Sequence, residues 1–269
     1  MIKNPKLFLK QLIPPFFLST YKKVGKYGFF GNYKTWQAAY QDTTGYDAAV
    51  ILEKVKDSLL KVKEGKAVYA RDSVIFDKIH YSFPLLASLL KIAVENEGRL
   101  SVLDFGGSLG TSYYQCKDFL SGLKELKWSI VEQENFVTTG KQFFEDTHLK
   151  FFYDIDSCIH IEKPDVILLS GVVQCLEDPY KFLEKLLSYN FNHILFDRTA
   201  FVKEGSDRLT IQKVPPEIYS ASYPAWFFSL DRFLSFFAEK YDLLLEFDSD
   251  DKVNIPSQFK GFYFKRKSL

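Results

Sequence analysis

The sequence predicts an α/β domain of the doubly wound kind: a mostly parallel sheet with an antiparallel last strand, preceded by an N-terminal helical extension. Three observations carry this. Apolar, β-branched runs alternate with helical stretches from residue 99 onward, the pattern of a parallel sheet covered on both faces. The first run, in "VLDFGGSLGTSYYQ" (residues 102–115), breaks into glycines and resumes as a helix. The last two runs, "YDLLLEFDS" and "FKGFYFKRK", are separated by a short polar stretch with no room for a helix. A parallel crossover needs a dozen or more residues, so this pair must form an antiparallel hairpin.

Each element follows from local pattern. Ala48, Ile51, Leu52, Val55, Leu59 and Val62 make one helical stripe, with Gly65 beyond its end. A second helix is expected over 82–97, with Pro84 in its first turn and Gly98 as its stop. The stretch between them, "YARDSVIFDKIHYSF", reads as a connecting segment. Strands are expected at 100–105, 128–132, 150–153, 165–170 and 193–197, and helices at 109–121, 134–145 and 179–188. A last helix is expected at 229–240, before the hairpin. The division expected is 1–98 as arm and helical extension, and 99–269 as the sheet domain with a cap segment at 199–228.

The bulk numbers narrow the class. A chain of 269 residues, 46% hydrophobic, holds ample material for one large core. With 35 basic and 34 acidic residues the formal net charge is +1, which argues against nucleic acid as a partner. Cys116, Cys158 and Cys175 are far apart and odd in number, with no C-x-x-C pair. Neither a disulfide framework nor a zinc site is indicated, and a reducing cytoplasm is the expected compartment. No signal-peptide pattern and no apolar run of membrane-spanning length is present. The first 46 residues mix Lys3, Lys6, Lys10, Lys22, Lys23 and Lys26 with five phenylalanines. Such an arm packs on its own domain or makes peripheral contact with an anionic membrane surface.

The glycine corner selects among cofactors. A dinucleotide site wants G-x-G-x-x-G, but counting from Gly106 places Ser108 and Thr111 at the second and third glycine positions. A P-loop fails too, because no Gly-Lys-Ser/Thr follows. What fits is D-x-G-x-x-x-G, with Asp104, Gly106 and Gly110. An acidic residue at the strand's end suits a cofactor without pyrophosphate, such as a sulfonium carrying an amino-acid ammonium. Glu132 ends the next strand, where a carboxylate matches the vicinal diol of a ribose, and Gln133 beside it is placed for the adenosine edge. After the third strand Asp154 and Asp156 are both eligible to accept from an adenine amino group, and Asp154 is preferred. Ser170, Gly171 and Val172 form a turn at the sheet's carboxyl edge, beside the switch point where ligands bind.

These motifs, with "SIVEQ", "PDVILLSGVVQCLEDPYKFLEKLL" and "ILFDRTAF", resemble the class I S-adenosylmethionine-dependent methyltransferases. More narrowly, "GFFGNYKTW", "YARDSVIFD", "DRLTIQKVPPEIYSASYPAWFF" and "FKGFYFKRK" look like a bacterial methyltransferase family associated with surface-polysaccharide (O-antigen or capsule) synthesis. The resemblance implies a Rossmann-like, seven-stranded sheet with its last strand reversed. It also implies S-adenosylmethionine seated over Gly106, Gly107, Ser108 and Gly110, with S-adenosylhomocysteine as product. Ser108 departs from the commonest glycine pattern of that class.

Methyl transfer to a sugar hydroxyl wants a general base. Asp197 and His80 are the candidates near the carboxyl edge, and Arg198 stands where an acceptor would approach. Tyr219, Tyr223 and Trp226, in the cap segment, are placed to stack on a sugar ring. Four scattered histidines give no metal site. The alternative is a catalytically silent binding or scaffold protein of the same fold. An NAD-dependent epimerase is not supported, since the dinucleotide fingerprint fails at Ser108 and Thr111, and the Tyr-x-x-x-Lys spacing from Tyr21 and Tyr180 meets Gly25 and Glu184.

Overall fold

The computed structural model describes residues 25–44, 48–216 and 218–268. The part of the basic arm up to residue 24, and the expectation attached to it, lies outside the described residues. The described chain starts with β1 (Gly28–Tyr33) and α1 (Trp36–Gln41), the latter capped by the Thr35 side chain. The predicted stripe then forms α2 (Ala48–Lys63), which buries Ile51, Leu52, Val55 and Leu59.

The stretch expected as a plain connector is instead a small hairpin, β2 (Tyr69–Arg71) and β3 (Val74–Phe76). Asp72 and Ser73 turn it with φ of 50° and 65°. Two successive positive φ values are the geometry of a tight two-residue hairpin turn. Next comes α3 (Phe83–Glu95), with Pro84 in its first turn.

The main sheet grows outward from β4 (Arg99–Phe105). After α4 (Thr111–Leu120), β5 (Glu125–Val131) pairs parallel to β4; after α5 (Glu134–Phe143), β6 (Leu149–Phe152) pairs parallel to β5. A helix not foreseen, α6 (Ile155–Glu162), leads to β7 (Val166–Ser170) on the other side of β4. A single 3-10 turn (Val173–Cys175) and α7 (Pro179–Ser188) then lead to β8 (His193–Val202), parallel to β7. Side chains alternate across this sheet. Leu100, Val102, Trp128 and Ile130 face the core under α2 to α5, while Leu103, Val131, Ile167 and Leu169 face the core under α6 and α7. Period-two alternation with both faces covered is what a buried parallel strand requires.

The segment expected to be a cap divides differently. β8 continues to Val202, and β9 (Arg208–Lys213) and β10 (Ser222–Phe227) join β1 in a separate antiparallel sheet of order β1-β9-β10. The following helix, α8 (Leu230–Ser235), is shorter than expected. The closing hairpin appears as expected, β11 (Tyr241–Ser249) and β12 (Ser257–Arg266), with β12 antiparallel to β8. The seven-stranded order is β11-β12-β8-β7-β4-β5-β6.

One irregularity in this sheet positions the site. Lys260 pairs with Thr199 and Phe262 with Phe196, so Asp197 and Arg198 together stand opposite Gly261. That is a β-bulge, and Arg198 takes the left-handed backbone (φ 55°) that it needs. Gly261 is required there: a Cβ would meet the Phe247 ring and lie 2.7 Å from the Phe196 carbonyl. Among the described residues no helix is long and apolar enough to cross a membrane.

Candidate functional site

Between β4 and α4 the chain turns through left-handed backbone at Gly106 (φ 70°), Ser108 (φ 56°) and Gly110 (φ 108°). A Cβ on Gly106 would collide with Val172, and one on Gly107 would stand 2.5–2.9 Å from the Asp104 carboxyl group. Close approach from both sides therefore excludes any side chain. Gly110 is the N-cap of α4 and offers no capping group, so amides of the first turn stay open.

Two carboxylates back this corner. Asp104 is buried at 1% exposure; its Oδ2 accepts from Trp128 Nε1 at 3.0 Å, and its Oδ1 has no protein donor. Burial pushes its pKa up to about 7, with the Trp128 N–H acting against that rise and the nearby Glu132 charge adding to it. Glu132 follows β5 and reaches across: Oε1 accepts from the Ser108 amide at 3.3 Å, and Oε2 from the Gln133 amide at 2.8 Å. Burial raises its pKa as well, and those two amides oppose the rise.

The Asp104 shift has a consequence for stability. Its folded value, about 7, lies above the ordinary 3.8, so its contribution is fully present below about 3.8 and is lost as pH rises through about 7. Asp104→Asn keeps an acceptor for Trp128 and removes the titration. Thermal melts from pH 4 to 8 are expected to show a flatter decline for the variant than for the parent, and equal slopes would refute the assignment.

Midway along β8, beside the carboxyl end of β7, the bulge holds Asp197 at 5% exposure. Its Oδ2 accepts from Ser170 Oγ at 3.1 Å and its Oδ1 from Ser82 Oγ at 3.4 Å. Ser82 is the N-cap residue of α3 yet caps nothing with its side chain, because that hydroxyl points at Asp197 instead. Burial raises the Asp197 pKa, while the Arg198 charge and the two serine hydroxyls pull it down. Arg198 itself turns away: its guanidinium grips Asp251 through Nε (3.0 Å) and Nη2 (3.1 Å) and reaches Asp72 at 3.7 Å. It thereby ties the β2–β3 hairpin, the bulge and the β11–β12 loop together around one space.

That space is a cleft of about 240 Å³. Asp197 and Ser170 lie on its sheet side, Thr111 and Ser112 of α4 on another, and residues 80–84 and 248–251 complete its wall. His80 lines it with an exposed ring set edge-on to Phe76 (5.4 Å), and its carbonyl accepts from Gln115 Nε2. The structure thus brings together Asp197, Arg198, His80 and Ser170 in the cleft. Gly171 (φ 68°) donates its amide to the Asp197 carbonyl at 2.9 Å, and Val172 covers Gly106.

Four other candidates, Asp154, Tyr219, Tyr223 and Trp226, do not line this cleft. Asp154 is the N-cap of α6, with its carboxylate held by the Ser157 amide (2.7 Å) and hydroxyl. Tyr219 is buried in the main core at 8% exposure, so its ring is not presented for stacking, and Tyr223 packs partly buried against the same core. Trp226 packs beside Leu209 and Ile211 and borders a second cavity with Tyr33 and Tyr180, away from Asp197. Sequence reasoning missed Tyr81, Ser82, Phe83, Thr111 and Asp248 to Asp251. The acidic tip between the last two strands was the one visible signal among them.

A sheet of this order with a reversed final strand, and a glycine corner facing an acidic strand end, is the Rossmann-like fold of methyltransferases. No family model matches the chain, and no curated protein matches it. Solved structures do. One is a S-adenosylmethionine-dependent methyltransferase from Clostridium acetobutylicum ATCC 824, at 13% identity over 70% of this chain and 93% of that one, with TM-score 0.45. Another is magnesium protoporphyrin IX methyltransferase from Synechocystis PCC 6803, with S-adenosylmethionine bound, at 12% identity, 97% and 96% coverage and TM-score 0.43. A third is 1,6-didemethyltoxoflavin-N1-methyltransferase from Burkholderia thailandensis, at 10% identity, 84% and 92% coverage and TM-score 0.43.

Proposed function

We propose that this protein is an S-adenosylmethionine-dependent methyltransferase that methylates an oxygen of a sugar or polysaccharide-precursor acceptor. The observation that carries the cofactor reading is Glu132, placed after β5 and hydrogen-bonded to the Ser108 amide of a corner in which neither Gly106 nor Gly107 has room for a Cβ. A carboxylate there accepts a vicinal diol, and the orphan Oδ1 of Asp104 supplies negative potential beneath the same corner. The bound cofactor supplies an electrophilic methyl group on a positively charged sulfur.

The remaining chemistry belongs to this chain. Ser82 and Ser170 hold the Asp197 carboxylate in one orientation at the cleft's sheet side. Asp197 is placed to take the proton of an acceptor hydroxyl, whose oxygen would receive the methyl group that bound S-adenosylmethionine would supply, with S-adenosylhomocysteine as the leaving group. A base raised above the ordinary carboxylate value is better matched to that transfer. Holding the acceptor hydroxyl beside Asp197 in one orientation would supply much of the acceleration. The hydroxyl- and carboxylate-rich wall supports an acceptor that carries hydroxyl groups.

Two measurements test the cofactor. S-adenosylhomocysteine at about 100 times its Kd is expected to raise Tm by about 5–10 °C, while NAD leaves it unchanged. Glu132→Ala is expected to weaken S-adenosylhomocysteine about 10- to 100-fold, the loss of hydrogen bonds to a charged group. A well-folded protein with no shift would end this reading. A shift without methyl transfer to any acceptor would favour the silent binding protein.

A further inference from the structure

At the mouth of the cleft three aromatic rings form a connected platform. Tyr81 and Phe83 line the cleft, with centroids 5.5 Å apart, and Tyr81 meets Phe119 of α4 edge-on at 5.1 Å. Phe83 is 62% exposed and Phe119 48% exposed. Large aromatic side chains grouped this openly beside a concave site are costly to leave in water and mark a contact surface. The platform is continuous with Asp197, because Ser82 stands between Tyr81 and Phe83 and points its hydroxyl at that carboxylate.

Charge restricts what lies on it. The wall carries Asp197, Asp248, Asp250 and Asp251 against Arg71 and Arg198. Arg198 is committed to Asp251 and Asp72, while Arg71, over the Phe76 ring at 5.9 Å, keeps its charge and acts on Asp251. Asp248 has a partner outside the wall, Lys260 at 2.9 Å. Asp197 and Asp250 remain without a cationic partner among the ion pairs of the described residues. Asp197 and Asp250 thus stand against the one guanidinium of Arg71, the cleft is net acidic, and a phosphate or carboxylate next to the reacting oxygen meets like charge.

We infer that the acceptor presents an uncharged, hydroxylated ring, a neutral glycoside unit, packed on Tyr81 and Phe83 with Phe119 buttressing Tyr81 edge-on, and that phosphorylated and nucleotide-activated sugars are excluded. This rests on the methyltransferase reading and specifies the substrate class of the same site. A pyranose presents a C–H face to an aromatic ring and its hydroxyl edge to the carboxylates. Tyr81 and Phe83 thus determine specificity, and Asp250 enforces it by repulsion together with Asp197.

The test uses the full chain saturated with S-adenosylhomocysteine, whose Tm shift is recorded first for every variant. Saturation-transfer NMR then compares methyl β-D-glucopyranoside, methyl β-D-galactopyranoside and methyl β-D-mannopyranoside with glucose 1-phosphate and UDP-glucose. At least one neutral glycoside is expected to show transfer from aromatic protons and to bind at least ten-fold tighter than either anionic sugar. Tyr81→Ala/Phe83→Ala/Phe119→Ala is expected to lose that transfer while keeping the S-adenosylhomocysteine shift. Asp248→Lys/Asp250→Lys is expected to strengthen glucose 1-phosphate about ten-fold at low salt. Tighter binding of an anionic sugar, undiminished glycoside binding by the triple variant, or no glycoside transfer alongside an intact shift would each overturn the inference. An absent shift in the parent protein would instead overturn the cofactor reading.

Discussion

Asp197→Asn is expected to lower kcat by about 10²–10⁴-fold, the range for loss of a positioned general base. Asparagine keeps the size of the carboxylate; its oxygen accepts from one of the two serines and its amide N–H donates to the other, whose hydroxyl turns to accept, so Tm and S-adenosylhomocysteine affinity should change little. The parent's rate should rise with pH as Asp197 loses its proton. That acid limb should lie above the ordinary carboxylate value of 3.8, because burial raises the group. Ser82→Ala and Ser170→Ala each remove a donor to the charged form, so each should move the limb to still higher pH. A loss of that size from His80→Ala, with Asp197→Asn near parental activity, would transfer the role to His80.

Arg198→Ala should produce the largest loss of stability. The guanidinium carries a bidentate contact to Asp251 and a second carboxylate at Asp72, with side-chain exposure of 25% for Arg198 and 20% for Asp251. Removing one partner of a largely buried pair strands the other, at a cost of about 3 kcal/mol. For a domain of this size that corresponds to a fall in Tm of about 6–12 °C. Arg198→Met/Asp251→Leu removes both charges and is expected to recover much of the loss. A single variant that melts within 1–2 °C of the parent would show that the cluster carries little stability.

The parts of this fold legible in the sequence are those with local physical causes. The glycine corner, the helix begun by Asp178-Pro179 and the final hairpin all follow from residues near one another in the chain. The β2–β3 hairpin escaped because its strands have three residues each, too few for a period to show. The bulge at Asp197 and Arg198 escaped because "FDRTAF" looks like a strand that ends at its charges; only the pairing with β12 shows Gly261 opposite two residues. The same limit governs the site. Asp104 and Glu132 stood at predictable strand ends, and Asp197 beside the bulge. Tyr81 and Phe83 could not be read as a cleft wall, because α3 precedes the sheet against which its first turn is set. Tyr219 and Tyr223 misled for the converse reason, since aromatic content alone does not distinguish a core ring from a presented one.

The small sheet has a consequence for how the chain is made. β1 takes its partner from β9, with Phe30 opposite Ile211, and Asn254 clamps the Phe29 backbone through hydrogen bonds of 2.7 and 2.8 Å. On the ribosome β1 emerges long before either partner exists. It must wait, unpaired, through the synthesis of nearly the whole parallel sheet. Contacts so distant in sequence are late and slow to close, so a fluorescent label near Phe30 should report a refolding phase slower than that of buried Trp128. Of the described strands, the one translated first is seated last.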